Sequence, residues 1–284
     1  KYVEELKKSS GNGIVMPTHL YGFVNDYNDT VKLAKEKNWF ILENDCLATK
    51  ARVELYNSPK PIGDALLVSF GYSKTIDVGL GGALVTNDKN LAQELKKRAN
   101  KYIELDALAL KKEDWLMKTR RILREGPPGG ESYTHLSEHL MEMEISELRY
   151  AFPVNHIDKL QQEILNLEKK ISRRLEKVDI WKTLMTNIGD EIIFPNLEQV
   201  VPWRFICRVP NKRDSLVKIL RDKGIDAGTN YAPLTEYFPS LLNNQWHESS
   251  INWGKEVLNL WLTNEYDIKL IKDVVGLIEE HCAS

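Results

Sequence analysis

The sequence predicts an α/β protein with a mainly parallel sheet, followed by a small α+β domain. Over the first two-thirds of the chain, apolar strand-like segments alternate with helix-like ones, as in sheets with helical crossovers. A long run of apolar residues at helical spacing then precedes a shorter tail of strand-like and helix-like segments. The 284 residues can bury a sizeable core in one large domain or two smaller ones.

The first part of the chain is expected to contribute four strands and two helices. The order is strand, helix, strand, strand, strand, helix, in the segments GIVMPTHLYG, NDTVKLAKEKN, WFILEND, ALLVSF, GGALVTND and NLAQELKKRANKYI. The first strand is expected to be buried and to end at a glycine turn. Asn28 or Asp29 is the candidate cap of the first helix.

The second part is predicted to open with one long amphipathic helix. The apolar positions from Ile157 to Val178 step by three and four residues, which predicts a single buried stripe. The segments RFICRVP, RDSLVKILRDKGIDAG and DIKLIKDVVGLIEEH then predict a small unit whose last helix packs on a short sheet. We therefore predict a large domain over residues 1–155 and a connecting helix with a small domain over 156–284. The loop GPPGGES (126–132) is expected near the boundary.

Composition excludes several classes of partner. A formal charge of -2 provides no basic surface for nucleic acid. The 3 cysteines are far apart and lack metal-ligand spacing, which predicts a reducing, cytoplasmic location and no metal site. No apolar run approaches the ~18 residues of a membrane span, and the first residues lack the apolar core of a signal peptide.

Chemistry is expected at Lys74, in the segment SFGYSKTIDVGLGGALVTND (69–88). A P-loop would need glycine directly before its lysine, where this chain has Ser73. A dinucleotide fingerprint would open a helix, whereas these glycines run into a strand-like segment. An exposed lysine on a turn is the plain alternative. However, the preceding segment is too apolar for an edge strand, and glycines let backbone approach a ligand closely, so we expect a ligand cleft.

Two further residues are expected at this cleft, because the carboxyl ends of parallel strands meet at one edge of a sheet. Asp45 and Ser69 end the segments adjacent to the lysine. An amine, a carboxylate and a hydroxyl suit pyridoxal phosphate: the lysine forms a Schiff base, the carboxylate keeps the pyridine nitrogen protonated, and the hydroxyl holds the phosphate.

Several segments, in order, resemble the DegT/StrS family of sugar aminotransferases, which are fold type I enzymes that use pyridoxal phosphate. They are MPTHLYGFVNDYNDTVKLAKEKNWFILENDC, the lysine segment, ISELRYAFPVNHIDKL, RDKGIDAGTNYAPL and GKEVLNLWL. The resemblance implies that Lys74 is the Schiff-base lysine and proton shuttle, that Ser69 binds phosphate, and that Tyr231 lies near the substrate. It also implies a homodimer that transfers an amino group from glutamate to a nucleotide-linked keto sugar, for polysaccharide or antibiotic sugar biosynthesis.

Two neighbouring residues are candidates for the contact with the pyridine nitrogen. The family has an acid directly after glutamate, whereas this chain reads Glu43-Asn44-Asp45-Cys46. Either Asn44 is an insertion and Asp45 takes the acid's place, which we favour, or Asn44 itself stands there. An asparagine could not supply the charge that favours a pyridinium.

Other departures leave a second function open, that of a non-catalytic relative that binds or regulates. The family's phosphate-cradling Gly-Thr/Ser-x-Ala segment has no counterpart before Gly13, so the sequence is a fragment, omits an N-terminal part, or has lost phosphate binding. The family's Asn-x-Arg is replaced by a segment with Glu142 and Glu144, which would repel a phosphate. We favour the enzyme, because a lysine flanked by glycines has no evident structural reason to persist in an inactive site.

The remaining conspicuous side chains have plain interpretations. His19 is interpreted as a satisfied polar group at a strand end, and Arg204 as a strand residue facing water. Trp246, Trp253 and Trp261 are interpreted as packing or interface aromatics, and the charged residues 111–114 as a solvated helix start.

Overall fold

A computed structural model describes residues 2–48, 60–105, 111, 114–115, 118–119, 150–196, 200–231, 248–263 and 266–283. The predicted loop at 126–132 and the residues Glu142, Glu144 and Trp246 lie outside the described residues. Of the charge run, Lys111 and Asp114 are helical and exposed, as expected of a solvated helix.

The sheet of the first part has four strands in chain order: β1 (Ile14–Val15), β2 (Phe40–Asn44), β3 (Ala65–Ser69) and β4 (Gly82–Val85). β2 is parallel to both β1 and β3, whereas β4 is antiparallel to β3. The mainly parallel sheet is therefore confirmed. The expectation that all of β1 is buried is wrong, because Ile14 is 66% exposed while Val15 is buried. Only one face of this strand is covered in the described structure.

Three helices accompany this sheet: α1 (Tyr2–Lys8), α2 (Asn28–Glu36) and α3 (Lys89–Ala99). α1 packs on α2. Beneath them is an apolar cluster of buried side chains, formed by Leu6, Val15, Ala34 and Ile41.

The cap of α2 differs from the two candidates. Asn28 is the first helical residue, and Asp29 already lies inside the first turn. The carboxylate of Asp26 accepts a hydrogen bond of 2.8 Å from the backbone N–H of Asn28 and so satisfies one of the free N–H groups there. In α3, Asp88 is the N-cap and accepts from two backbone N–H groups of the first turn.

The predicted single connecting helix is two helices, α4 (Ile157–Leu165) and α5 (Leu167–Met185). They meet at Asn166, whose side-chain Nδ2 and backbone N–H both donate to the carbonyl of Gln162, at 2.8 and 3.0 Å. Local bonding of this kind competes with continuation of the helix. The apolar spacing continues across the break, and its buried members lie in α5, at Ile171 and Val178.

The last part is the predicted α+β unit. Strands β5 (Phe205–Arg208) and β6 (Val257–Leu260) pair antiparallel. Helices α6 (Arg213–Asp222), α7 (Glu248–Glu256) and α8 (Ile268–Ala283) accompany them. One apolar core joins the strands with α5, α6 and α8, and its fully buried members include Trp181, Phe205, Leu216, Leu258, Ile271 and Ile278.

The two parts of the chain are in contact. Short 3₁₀ turns are formed by Leu20–Gly22, Val154–His156 and Thr186–Glu191. The first of them contributes to a cluster that joins the ends of β1 and β2 to β5 and β6, made of Tyr21, Leu47, Trp203, Ile206 and Val257. The domain boundary at residues 155–156 stays a prediction.

In the described ranges, no helix combines the length and apolar character that crossing a membrane requires.

Candidate active site

Lys74 lies in the loop that connects β3 to β4, just after the carboxyl end of β3. The base of this loop is closed at Phe70, whose backbone N–H donates to the carbonyl of Gly81 at 2.8 Å and whose carbonyl accepts from the N–H of Val78 at 2.9 Å. The side chains of Phe70 and Val78 are buried in one apolar cluster. The lysine is thus presented from a fixed base.

Two of the glycines in this loop have a structural cause. Gly81 has a φ of +80°, and a Cβ there would lie 2.6 Å from the ring of Phe152. A Cβ on Gly82 would lie 2.6 Å from the carbonyl oxygen of Val68. Neighbouring protein atoms therefore already favour glycine at both positions, and a role in the approach of a ligand stays a prediction.

The amine of Lys74 lies beside a fixed indole. Its side chain is half-buried, and Nζ is 5.5 Å from the centroid of the Trp203 ring. Trp203 Nε1 donates to Ser73 Oγ at 3.2 Å, and its carbonyl accepts from Arg174 Nη1 at 2.6 Å. Because Ser73 directly precedes the lysine, these bonds fix the ring relative to the amine. Sequence analysis missed both Trp203 and Arg174, which carry no local motif.

The surroundings make this amine less basic. Burial lowers the pKa of Lys74, Cys46 opposes that shift, and the positive charge of Arg204 lowers the pKa further. Burial in turn raises the pKa of the Cys46 thiol, against the charge of Lys74. Cys46, which follows β2, and Lys74 therefore act electrostatically on each other.

Asn44 and Ser69 share one face of the sheet. Asn44 is the partner of Leu67 in the β2–β3 register, and Ser69 follows two residues after Leu67. Side chains alternate along a strand, so these three point the same way. Asp45 is one residue further and points to the opposite face together with Glu43; these two are 1% and 0% exposed.

Asn44 is hydrogen bonded to Cys46, a residue that acts electrostatically on the lysine. Cys46, two residues after Asn44, interacts electrostatically with Lys74. The Asn44 side chain is half-buried, and its Oδ1 accepts from the backbone N–H of Cys46 at 3.2 Å. The structure therefore places Asn44 on the face of Ser69, and it places the favoured candidate Asp45 on the opposite, buried face.

His19 is a buried polar group at a strand end, as the sequence predicts, and one of its ring nitrogens pairs with a carboxylate. Its Nε2 lies 3.1 Å from Oε1 of Glu43, and both side chains are fully buried. The other carboxylate oxygen of Glu43 accepts from the N–H of Ile62 at 3.0 Å. This pair ties the end of β1 to β2 and the segment before β3.

Tyr231 lies at the same indole. Its ring is stacked on that of Trp203, with centroids 5.8 Å apart and an interplanar angle of 19°. Its backbone N–H donates to the hydroxyl of Tyr21 at 2.7 Å. The side chain remains 40% exposed, so it can contact a ligand that approaches the lysine. The role of Tyr231 in contacting the substrate stays a prediction.

Arg204 does not face water. It is 8% exposed, and its Cζ lies 4.3 Å from the Trp203 ring centroid and 3.7 Å from that of Trp261. The plain interpretation of this arginine is therefore wrong: two indoles far apart in sequence enclose it. Trp261 is a packing aromatic as predicted, and Trp253 packs near Tyr21, with ring centroids 6.1 Å apart.

No group of three or more His, Cys, Asp and Glu side chains that could hold a metal occurs among the residues the structure describes.

The model of the DegT/DnrJ/EryC1/StrS aminotransferase family matches residues 4–279. The chain belongs to this family. Its resemblance to known DegT/StrS members, first indicated by short motifs, thus extends over nearly the whole sequence. Lys74 and Ser69, and Asn44 at the end of β2, all lie inside the matched region.

The alignments with individual relatives cover only part of those proteins. GDP-perosamine synthase of Escherichia coli O157:H7 is 38% identical over 87 residues, which are 31% of this chain and 24% of that protein. A pleiotropic regulatory protein of Geobacillus stearothermophilus is 25% identical over 229 residues, 78% of this chain and 50% of that protein. The matches thus span half or less of these curated relatives.

The fold agrees with that of a solved aminotransferase. The aminotransferase TlmJ from Streptoalloteichus hindustanus superposes with a TM-score of 0.71 and 18% identity, covering 99% of this chain and 69% of TlmJ. The predicted fold type I architecture is confirmed by this likeness.

Proposed function

We propose that this protein is a pyridoxal-phosphate-dependent aminotransferase that moves an amino group, from glutamate, to a keto sugar carried on a nucleotide. One observation carries the proposal: the half-buried amine of Lys74 has a lowered pKa and lies at the carboxyl end of a central strand. Family membership supports the reaction, and similarity to GDP-perosamine synthase supports the class of acceptor.

The residues around the lysine fit this cofactor. Lys74 supplies the amine for a covalent link, and the hydroxyl of Ser69 lies on the face of the sheet that Asn44 shares. Ser69 Oγ accepts from the backbone N–H of Gly71 at 3.3 Å, which leaves the hydroxyl proton to donate to a phosphate. When bound, pyridoxal phosphate supplies a ring that withdraws electrons from the substrate carbon.

Lys74 is the proton carrier in this proposal. An amine with a lowered pKa is neutral in a larger fraction of molecules near pH 7, so it can take a proton from the substrate carbon and return it elsewhere. Trp203 limits the positions that the amine can reach and keeps water from one side of it. Tyr231, stacked on that indole, lies where it can contact the sugar substrate.

We assign the contact with the pyridine nitrogen to Asn44 rather than Asp45. The support is the alternation of side chains that puts Asn44 on the face of Ser69 and Asp45 on the opposite face. A neutral amide donates a hydrogen bond to an unprotonated nitrogen and does not favour its protonation. The chain would therefore work with a weaker electron sink than a carboxylate provides.

The family resemblance extends the proposal to a homodimer in the cytoplasm that serves polysaccharide or antibiotic sugar biosynthesis. The free thiols of Cys46, Cys207 and Cys282 are compatible with a reducing compartment.

The test is addition of pyridoxal phosphate to the purified protein, followed by absorption spectroscopy. We expect a visible band from the lysine adduct that is absent in Lys74→Ala and retained in Lys37→Ala, a partly buried control lysine that donates to the carbonyl of Ser9 instead. Glutamate should then convert the band. A protein that forms no band would contradict the proposal and would fit the regulatory role named for the Geobacillus relative.

A further inference from the structure

Arg204 and Lys74 both lie beside the ring of Trp203. Its guanidinium lies between the rings of Trp203 and Trp261, and Nζ of Lys74 lies near the first of these rings. Contact with aromatic faces on both sides fixes the plane of a guanidinium, and its N–H donors then point along that plane.

The backbone around Arg204 is shaped to admit this side chain. A Cβ at Gly228 would lie 2.8 Å from Arg204 Nη1. Gly228 is itself held by two backbone hydrogen bonds with Asn259, of 2.9 and 2.8 Å. The glycine therefore leaves room for the guanidinium in a segment that cannot easily move aside.

The charge of Arg204 acts on the lysine. It is one of the causes that lower the pKa of Lys74, and Arg204 itself is 8% exposed while Lys74 is half-buried. An anion between them would be attracted by both. A fixed guanidinium binds carboxylates and phosphates through two parallel hydrogen bonds, which a lysine cannot do.

We propose that Arg204 is a specificity-determining residue that binds an oxyanion of the substrate beside Lys74. The two sources of such a group are the carboxylate of the amino donor and the phosphate of the sugar nucleotide. This inference rests on the proposed function, because it places the anion at the reacting amine.

The experiment is calorimetric titration of the cofactor-treated protein with glutarate, a dicarboxylate without a reactive amine, and separately with thymidine diphosphate. We expect Arg204→Gln to weaken binding of one probe by about 30- to 100-fold, the loss typical of a charge-assisted bidentate pair. Weakening of glutarate alone assigns the site to the amino donor, and weakening of the diphosphate alone assigns it to the nucleotide.

Three further variants control for misfolding. Arg204→Lys keeps the charge but loses the planar donor pair, and Gly228→Ala displaces the guanidinium; both should weaken the same probe at least about tenfold. Arg208→Gln removes a charge four residues further along the chain, at the end of β5, where the arginine pairs with Glu256 at 2.5 Å, and should bind as the unchanged protein does. Circular dichroism verifies folding.

A second readout does not depend on substrate. Competitive acetylation followed by mass spectrometry reports the pKa of the Lys74 amine in the protein without cofactor. Arg204→Gln should raise this pKa, whereas Arg204→Lys and Arg208→Gln should leave it lowered.

The inference is overturned if folded Arg204 variants bind both probes like the unchanged protein. Its failure is distinguishable from failure of the proposed function: unaltered probe binding with an intact lysine–cofactor band removes only the role of Arg204. Probe binding that depends on Arg204 without any band retains the anion site and removes the aminotransferase.

Discussion

Asn44 and Ser69 face the same side of the sheet from neighbouring strands, linked through the register partner Leu67. Asp45, the next residue after Asn44, lies on the other side and is 1% exposed. The order of residues at the end of β2 therefore separates the acid from the hydroxyl. This separation bears directly on how strongly a bound ring can withdraw electrons.

Replacement of Asn44 by aspartate is expected to strengthen the reaction. A carboxylate on the face of Ser69 would favour the protonated pyridine nitrogen, and a gain of about tenfold corresponds to roughly 1.4 kcal/mol of transition-state stabilisation. The measurement is the rate at which glutamate converts the lysine–cofactor band in Asn44→Asp and in the unchanged protein.

The matched control is Asp45→Asn, which alters the buried acid on the opposite face of the sheet from Asn44. It should change the rate by less than about twofold while lowering stability by roughly 1–3 kcal/mol, because it disturbs a buried polar group. If Asp45→Asn instead abolishes conversion and Asn44→Asp has no effect, Asp45 meets the ring.

The lowered pKa of Lys74 predicts a pH dependence of stability. Below the lowered pKa the lysine is protonated in the folded and unfolded states, and its burial penalty is fully present. Between that pKa and the ordinary value of 10.5, the unfolded chain binds more protons, so the free energy of unfolding rises with pH. Urea titrations over this range should show a smaller rise for Lys74→Met.

The control for that titration is Lys37→Met, at a partly buried lysine remote from the loop. It should retain the pH dependence of the unchanged protein. Equal slopes for Lys74→Met and the unchanged protein would show that the amine is not buried as described.

The glycines of the lysine loop are expected to be sensitive to alanine. Gly81→Ala combines a left-handed backbone conformation with a contact of 2.6 Å to Phe152, and should cost roughly 1–3 kcal/mol of stability. Gly79→Ala has a φ of +96° but no atom within 4 Å of the added Cβ, so it should cost less. Thermal unfolding measures both.

Replacement of a glycine inside a helix by alanine is expected to raise stability instead. Gly276 lies in α8, and nothing lies within 4 Å of its would-be Cβ, so Gly276→Ala should stabilise by about 0.5–1 kcal/mol. If Gly81→Ala were as harmless as Gly276→Ala, the close contact with Phe152 would be disproved.

The strands and the position of Lys74 just after the end of β3 were predictable, because apolar segments bounded by turn residues identify strands locally. The face on which Asn44 lies was not, since it depends on where β2 ends and on its pairing with β3. The enclosure of Arg204 requires Trp203 and Trp261, which only the tertiary fold brings together. At the break, the side chain of Asn166 donates to the carbonyl of Gln162, a local bond that periodicity does not register.

Trp203 connects the lysine loop to the small α+β unit, and its substitution should separate two roles of the ring. Trp203→Phe keeps an aromatic face beside Lys74 and Arg204 but loses the bond from Nε1 to Ser73, so it should cost about 1 kcal/mol of stability. Trp203→Ala removes a buried ring and should cost roughly 3–5 kcal/mol. Chemical denaturation gives both values.

The same two variants should differ in the basicity of the amine. In Trp203→Ala, water reaches Lys74, and its pKa should return towards the ordinary value because burial is the largest cause of the shift. Trp203→Phe should keep the pKa lowered, as measured by competitive acetylation. An unchanged pKa in folded Trp203→Ala would mean that other groups exclude water from the amine.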